Sequence, residues 1–176
     1  MGESGRRPEY LITLEAIRIR ANFSITMNGA SPMLVHHLTP HECAVILERA
    51  TLARLACVRD ADPYIVPIHV AYDGYHLYGL SVVGKKVEWM RANPRVCVEV
   101  DEIADPGAWS TVLVYGTYEE LTRDEDETAR RWAEELLIPR ARYWMPALAK
   151  SPTAEHVSPV VYRIRVGHMT GRSLRQ

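Results

Sequence analysis

At 176 residues the chain is the size of one domain, and its formal net charge of -1, with acids and bases interspersed, provides no basic field for nucleic acid or anionic lipid. No apolar run approaches the roughly 18 residues that span a bilayer, and the start MGESGRRPEY has no apolar signal core, so a cytoplasmic protein with no membrane partner is expected. Cys43, Cys57 and Cys97 are widely spaced, form no CxxC motif or disulfide framework, and read as small buried apolar residues.

Residues 1–32 read as an N-terminal arm whose structure the pattern leaves open: YLITLEAIRIR alternates like a strand, whereas NFSITMNGASP reads as turn and loop. Met27 and Met33 could each serve as a start, so this segment reads either as a true arm over the domain or as a start-site extension. The domain proper is expected over 33–176. A helix starts at Thr39, an N-cap followed by Pro40 at the first helical position, Glu42 to complete a capping box, and Cys43, Ile46, Leu47 and Ala50 at helical spacing.

From Leu52 the period becomes two, and LARLACV, the turn ADP, YIVPIHVAY, the turn DGY and HLYGLSV read as a meander of three strands. Gly84 to Asn93 fits a short helix stopped by Asn93-Pro94. RVCVEVD alternates again, with Val96, Val98 and Val100 on one face, and WSTVLVYGTYEEL is a long strand of β-branched and aromatic residues. DEDETARRWAEELL is helical, with Ala129, Trp132, Ala133, Leu136 and Leu137 on one side; after the Pro-interrupted IPRARYWMPALAKSP, PVVYRIRV supplies a last strand. About six strands in antiparallel succession with three helices predict a mainly β fold, a small barrel with helices at its ends and rim.

Two places carry chemistry. In YIVPIHVA, alternation puts Val66, Ile68 and Val70 on one face and Ile65, Pro67 and His69 on the other, so His69 should face away from the core. Pro67 cannot donate to a ladder, which marks an edge: either a planar ligand lies along this strand, or the strand is a plain edge with a solvated His. Ser81, Gly84, Lys85 and Lys86 combine a hydroxyl, a glycine that permits close approach, two cations and free N–H groups at a helix start, all of which favour phosphate. A surface Lys pair after a turn is the plain alternative. His36, His37, His41 and Cys43 straddle a helix start and read as loop histidines rather than metal ligands. Asp101-Glu102 and Glu119-Glu120 read as solvated strand ends, and Trp144, near Arg140 and Arg142, as either a cover for a ring or a seal over the core. GxSxG, HExxH, GxxxxGK[ST] and the dinucleotide-binding glycine pattern are all missing.

Taken in order, ILERATLARLACV, YIVPIHVAYDGYHLYGLSVVGKKVEWMRANPRVCVEVDE, WSTVLVYGTYEEL and VYRIRVGHMTGR resemble the flavin-binding split-barrel family related to pyridoxamine 5′-phosphate oxidase, closest to its nitroimidazole-resistance branch. The resemblance runs from about Leu38 to Arg172. It implies a six-stranded Greek-key barrel, a homodimer, and FMN in clefts between the subunits. It also implies that Pro67, Ile68, His69 and Val70 flank the flavin ring, and that Leu80, Ser81, Gly84, Lys85 and Lys86 hold the phosphate tail, with Lys86 foremost. His69 takes a substrate-contacting or proton-donating role in this picture, a nicotinamide nucleotide is the electron donor, and a nitroaromatic is an acceptor. A flavin, deazaflavin or haem carrier on the same barrel is the other reading, with His69 and His36 or His37 as haem ligands. The arginine that pyridoxamine-phosphate oxidases carry in the flavin-lining strand is missing from YIVPIHV, which argues against pyridoxamine phosphate as substrate.

Overall fold

The computed structural model describes residues 34–105, 107–124, 126–143 and 159–175. The expected arm over 1–32, and Trp144 with the Pro-interrupted segment after it, lie outside the described residues.

β1 (Leu34–Leu38) leads into α1 (Pro40–Arg49). The capping box forms as expected: Thr39 Oγ1 accepts from the Glu42 amide at 3.3 Å, and Glu42 Oε2 accepts from the Thr39 amide at 2.8 Å. Cys43, Ile46 and Leu47 make the buried stripe. β2 (Leu52–Arg59) and β3 (Asp62–His69) form a hairpin whose two-residue turn, Asp60-Ala61, has φ of 51° and 68°. That left-handed pair gives a turn whose twist matches the strands it joins. β4 (Ala71–Tyr72), β5 (His76–Ser81), α2 (Lys85–Ala92), β6 (Arg95–Asp105), β7 (Ala108–Glu120), α3 (Glu127–Leu137), a 3₁₀ turn (Ile138–Tyr143) and β8 (Val160–Arg175) complete the described order.

The strands pair antiparallel in the order β3-β2-β6-β7-β8-β5-β4, with β1 also on β8. β3 and β4 stand at opposite ends of this order, yet only Val70 separates them in the chain. The sheet must therefore curl until its two ends meet, which makes it a barrel and gathers Leu55, Val98, Val100, Val112, Val114 and Ile164 into one core.

Two expectations need correction. The three strands from Leu52 do not form a meander, because YIVPIHVAY breaks at Val70, whose amide donates to Thr51 O at 3.2 Å, and β5 pairs with β8 instead of β3. Alternation fixes which face a residue takes but leaves the pairing partner open. Together with β1, this break gives eight strands among the described residues where the pattern suggests about six.

On α3 the buried stripe is Arg130, Ala133 and Leu137, while Trp132 stays 47% exposed. Arg130 is buried because its guanidinium finds partners: Nη1 donates to Leu121 O at 3.1 Å, Nη2 to Pro159 O at 3.5 Å, and Nε meets Glu134 Oε1 at 3.1 Å. A pattern that counts every Arg as polar cannot see this.

Candidate functional site

β3 positions the first group of residues. Among the described residues it pairs with β2 alone, an edge position of the kind Pro67 foretells. Val66 and Ile68 turn toward the core, while Ile65 and Pro67 are exposed and His69 is half-buried on the outward face opposite Leu52. Ile68 and Val70 are buried in the core, so a ligand along this strand would meet them through backbone only. His69 Nδ1 lies 3.1 Å from Thr51 O. A carbonyl can only accept, so this contact puts the proton of a neutral ring on Nδ1 and makes Nε2 the acceptor.

The second group surrounds the start of α2. Leu80 is half-buried; Ser81 is buried, its hydroxyl donating to Val82 O at 2.8 Å. Gly84 is the N-cap, in extended backbone, and supplies no side-chain cap, so the first-turn amides of α2 keep their donor capacity. A Cβ built on Gly84 would meet nothing within 4 Å. Lys86 is half-buried with no hydrogen bond or ion pair among the described residues, and burial lowers its ammonium pKa from the ordinary lysine value. A partly desolvated cation with no anion among the described residues, beside open N–H groups and free space, is what a phosphate-holding turn requires.

Lys85 does not join it. Its Nζ sits 4.5 Å from the ring centroids of both Tyr64 and Trp89, rings that are 5.5 Å apart. Consecutive helical residues point about 100° apart, whereas positions i and i+4 share a face, so Lys85 turns to Trp89 and away from Lys86.

The acidic pairs are partnered by arginines rather than simply solvated. Arg49 holds Glu102 and Arg54 holds Asp101; Glu119 meets Arg163 Nε at 2.7 Å and Arg165 Nε at 3.1 Å, and Glu120 meets Arg91. Arg140 ties the end of α1 to the strand break, donating from Nη1 to Ala50 O at 3.0 Å and Val70 O at 3.5 Å, and from Nη2 to Glu48 O at 2.9 Å. His36 and His37 are consecutive in β1 and so point to opposite faces of the strand, and no group of three His, Cys, Asp or Glu among the described residues could hold a metal ion. Cys43 and Cys57 are buried and Cys97 is half-buried, all three unpaired.

Sequence reading misses a groove of about 420 Å³ on the outward face, lined by Ala56, Arg95, Cys97, Tyr115, Thr117 and His168. Tyr115 and His168 are opposite one another in the β7–β8 ladder, and their rings stack 4.5 Å apart at 7°. No local signal marks this pair, because the two residues are far apart in sequence.

Known proteins carry the same frame. The family model of pyridoxamine 5′-phosphate oxidase matches residues 39–173, and the chain belongs to that family. An uncharacterized protein of Rhizobium meliloti (strain 1021) is 36% identical over 148 residues, 80% of this chain and 96% of its own. The crystal structure of an FAD-binding protein from Mesorhizobium loti is 37% identical, covers 82% of this chain and 100% of its own, and superposes with a TM-score of 0.69. A candidate 5-nitroimidazole antibiotic resistance protein from Bacteroides thetaiotaomicron shares the fold at 20% identity, over 82% of this chain and 90% of its own, with a TM-score of 0.60.

Proposed function

We propose that the chain binds a phosphorylated flavin, FMN in the reading from sequence, and acts as a flavin-dependent oxidoreductase toward small acceptors such as nitroaromatics, with a reduced nicotinamide nucleotide as donor. The observation that carries this is Lys86, a half-buried ammonium with no anionic partner among the described residues, set at an uncapped helix start beside an open glycine. Family membership supports the class, and the FAD-binding Mesorhizobium loti protein supports a flavin of either length.

Lys86 and the first-turn amides of α2 neutralise and orient the phosphate, with Ser81 and Leu80 shaping the strand end below it. Pro67 and His69 border the ring along β3, where the proline leaves the strand edge without a competing donor. The bound flavin supplies the electron chemistry, taking hydride from the nicotinamide and passing electrons to the acceptor. His69, with Nδ1 anchored on Thr51, presents Nε2 as an acceptor, and delivers a proton from that nitrogen only as the imidazolium. Leu52, Val58, Ile65, Ile103 and Tyr115 are exposed apolar residues on the outward sheet face, and a second copy of the chain covers them and closes the cleft.

Purified protein is expected to be yellow, or to become so with FMN or FAD, and to bleach when NADH or NADPH is added without oxygen. Protein that stays colourless and leaves the fluorescence of both flavins unchanged contradicts the proposal. A Soret band would give the cleft to haem instead.

A further inference from the structure

Lys85 and Lys86 are neighbours in sequence, and cofactor chemistry alone would give them the same task. The geometry separates them. Lys86 is half-buried and makes no hydrogen bond or ion pair among the described residues, whereas Lys85 is exposed and lays its ammonium over the rings of both Tyr64 and Trp89, 4.5 Å from each centroid. Trp89 belongs to α2, one turn after Lys85; Tyr64 belongs to β3, the edge strand that carries Pro67 and His69. Both rings also pack against the core.

Resting on the flavin reading above, we propose that Lys85 is a positioning residue and not a phosphate ligand: its ammonium clamps the first turn of α2 to β3 through Tyr64 and Trp89. The two parts of the flavin site lie on those two elements, the phosphate turn on α2 and the ring-lining residues on β3. The hairpin partner β2 secures one side of β3, while its other side pairs with no strand among the described residues. A contact from α2 to β3 therefore sets the distance between the phosphate-binding turn and His69. A cation over two aromatic faces suits this task, because its attraction to the ring quadrupoles acts at an exposed site too and two rings share it. With Lys85 so engaged, Lys86 is left as the phosphate cation of this turn.

The two roles separate when the full-length chain is titrated with FMN and with riboflavin, which has the same ring and no phosphate. For Lys86→Gln, FMN affinity should fall about tenfold or more with riboflavin affinity little changed, the mark of a lost charge-assisted phosphate contact. For Lys85→Gln, both affinities should fall by the same factor, about three- to tenfold, and Lys85→Arg should restore both, since guanidinium also binds aromatic faces. Trp89→Leu should lower both affinities by a similar factor, and adding Lys85→Gln to it should cost little more. A Lys85→Gln protein that loses FMN but keeps riboflavin, or loses neither, overturns the positioning role. Wild-type protein that binds neither flavin sinks the flavin reading, and this inference with it.

Discussion

Gly79 and Tyr162 are opposite one another in the β5–β8 ladder, and the phenol ring lies over the glycine so closely that an added Cβ would meet Tyr162 Cζ at 2.3 Å. Tyr162 is fully buried, and its hydroxyl has no hydrogen-bond partner among the described residues. Gly79→Ala should therefore destabilise the fold by about 1–3 kcal/mol through overpacking, read as a drop in the midpoint of urea unfolding. Tyr162→Phe should stay within about 1 kcal/mol of wild type, because the removed hydroxyl leaves no partner unsatisfied. A large loss in Tyr162→Phe would mean that the hydroxyl holds a bond essential to the core.

Lys86 is expected to cost stability in the cofactor-free protein. Its pKa is lowered by burial, so the unfolded chain binds a proton more readily than the folded one, and stability rises with pH across the interval between the lowered value and the ordinary lysine value. At neutral pH the full cost of the buried charge is present. Lys86→Met should thus raise the stability of cofactor-free protein by about 0.5–2 kcal/mol while weakening flavin binding, and should remove the alkaline rise from the pH profile of thermal unfolding. A Lys86→Met protein less stable than wild type would show that the ammonium has a partner.

Three carboxylates set the acid limit. Burial alone would raise the Asp73 carboxyl, but amide donation from Tyr75 and His76 and the Tyr78 hydroxyl hold it below the usual range. Burial is likewise outweighed at Glu119 by Arg163 and Arg165, and Arg91 foremost lowers Glu120. Each folded pKa lies below its unfolded value, so the stabilisation is complete above the ordinary carboxylate range, about 4, and fades as pH falls through the lowered values. Glu119→Gln should make the unfolding midpoint less steep in acid; an unchanged acid limb would remove the two-arginine clasp from the account.

Much of this architecture is legible in local chemistry. Thr39, Pro40 and Glu42 announce α1, Asn93-Pro94 stops α2, and Val96, Val98 and Val100 show the buried face of β6, because caps and periods depend on neighbours in sequence. Strand partners are not local, so nothing in HLYGLSV says that it pairs with β8 rather than β3. The burial of Arg130 depends on carbonyls of Leu121 and Pro159, and the engagement of Lys85 on a ring from another strand. The divergence of Lys85 from Lys86, however, follows from helical geometry alone, once α2 is assigned.

His69 should separate binding from turnover. It borders the proposed ring position without touching the phosphate turn, so His69→Leu should retain flavin within a few-fold and lower the rate of acceptor reduction by about 10²-fold. Steady-state rates of flavin-saturated protein give this directly. A His69→Leu protein with full activity would confine His69 to a structural role, such as its contact with Thr51.

The most direct test of the central claim is a fluorescence titration of FMN into cofactor-free wild type and Lys86→Ala, carried out side by side. The account predicts saturable quenching by wild type and an affinity about 10- to 100-fold weaker in the variant. Equal affinities would contradict it, because a flavin that ignores the half-buried ammonium of Lys86 is not held at the start of α2.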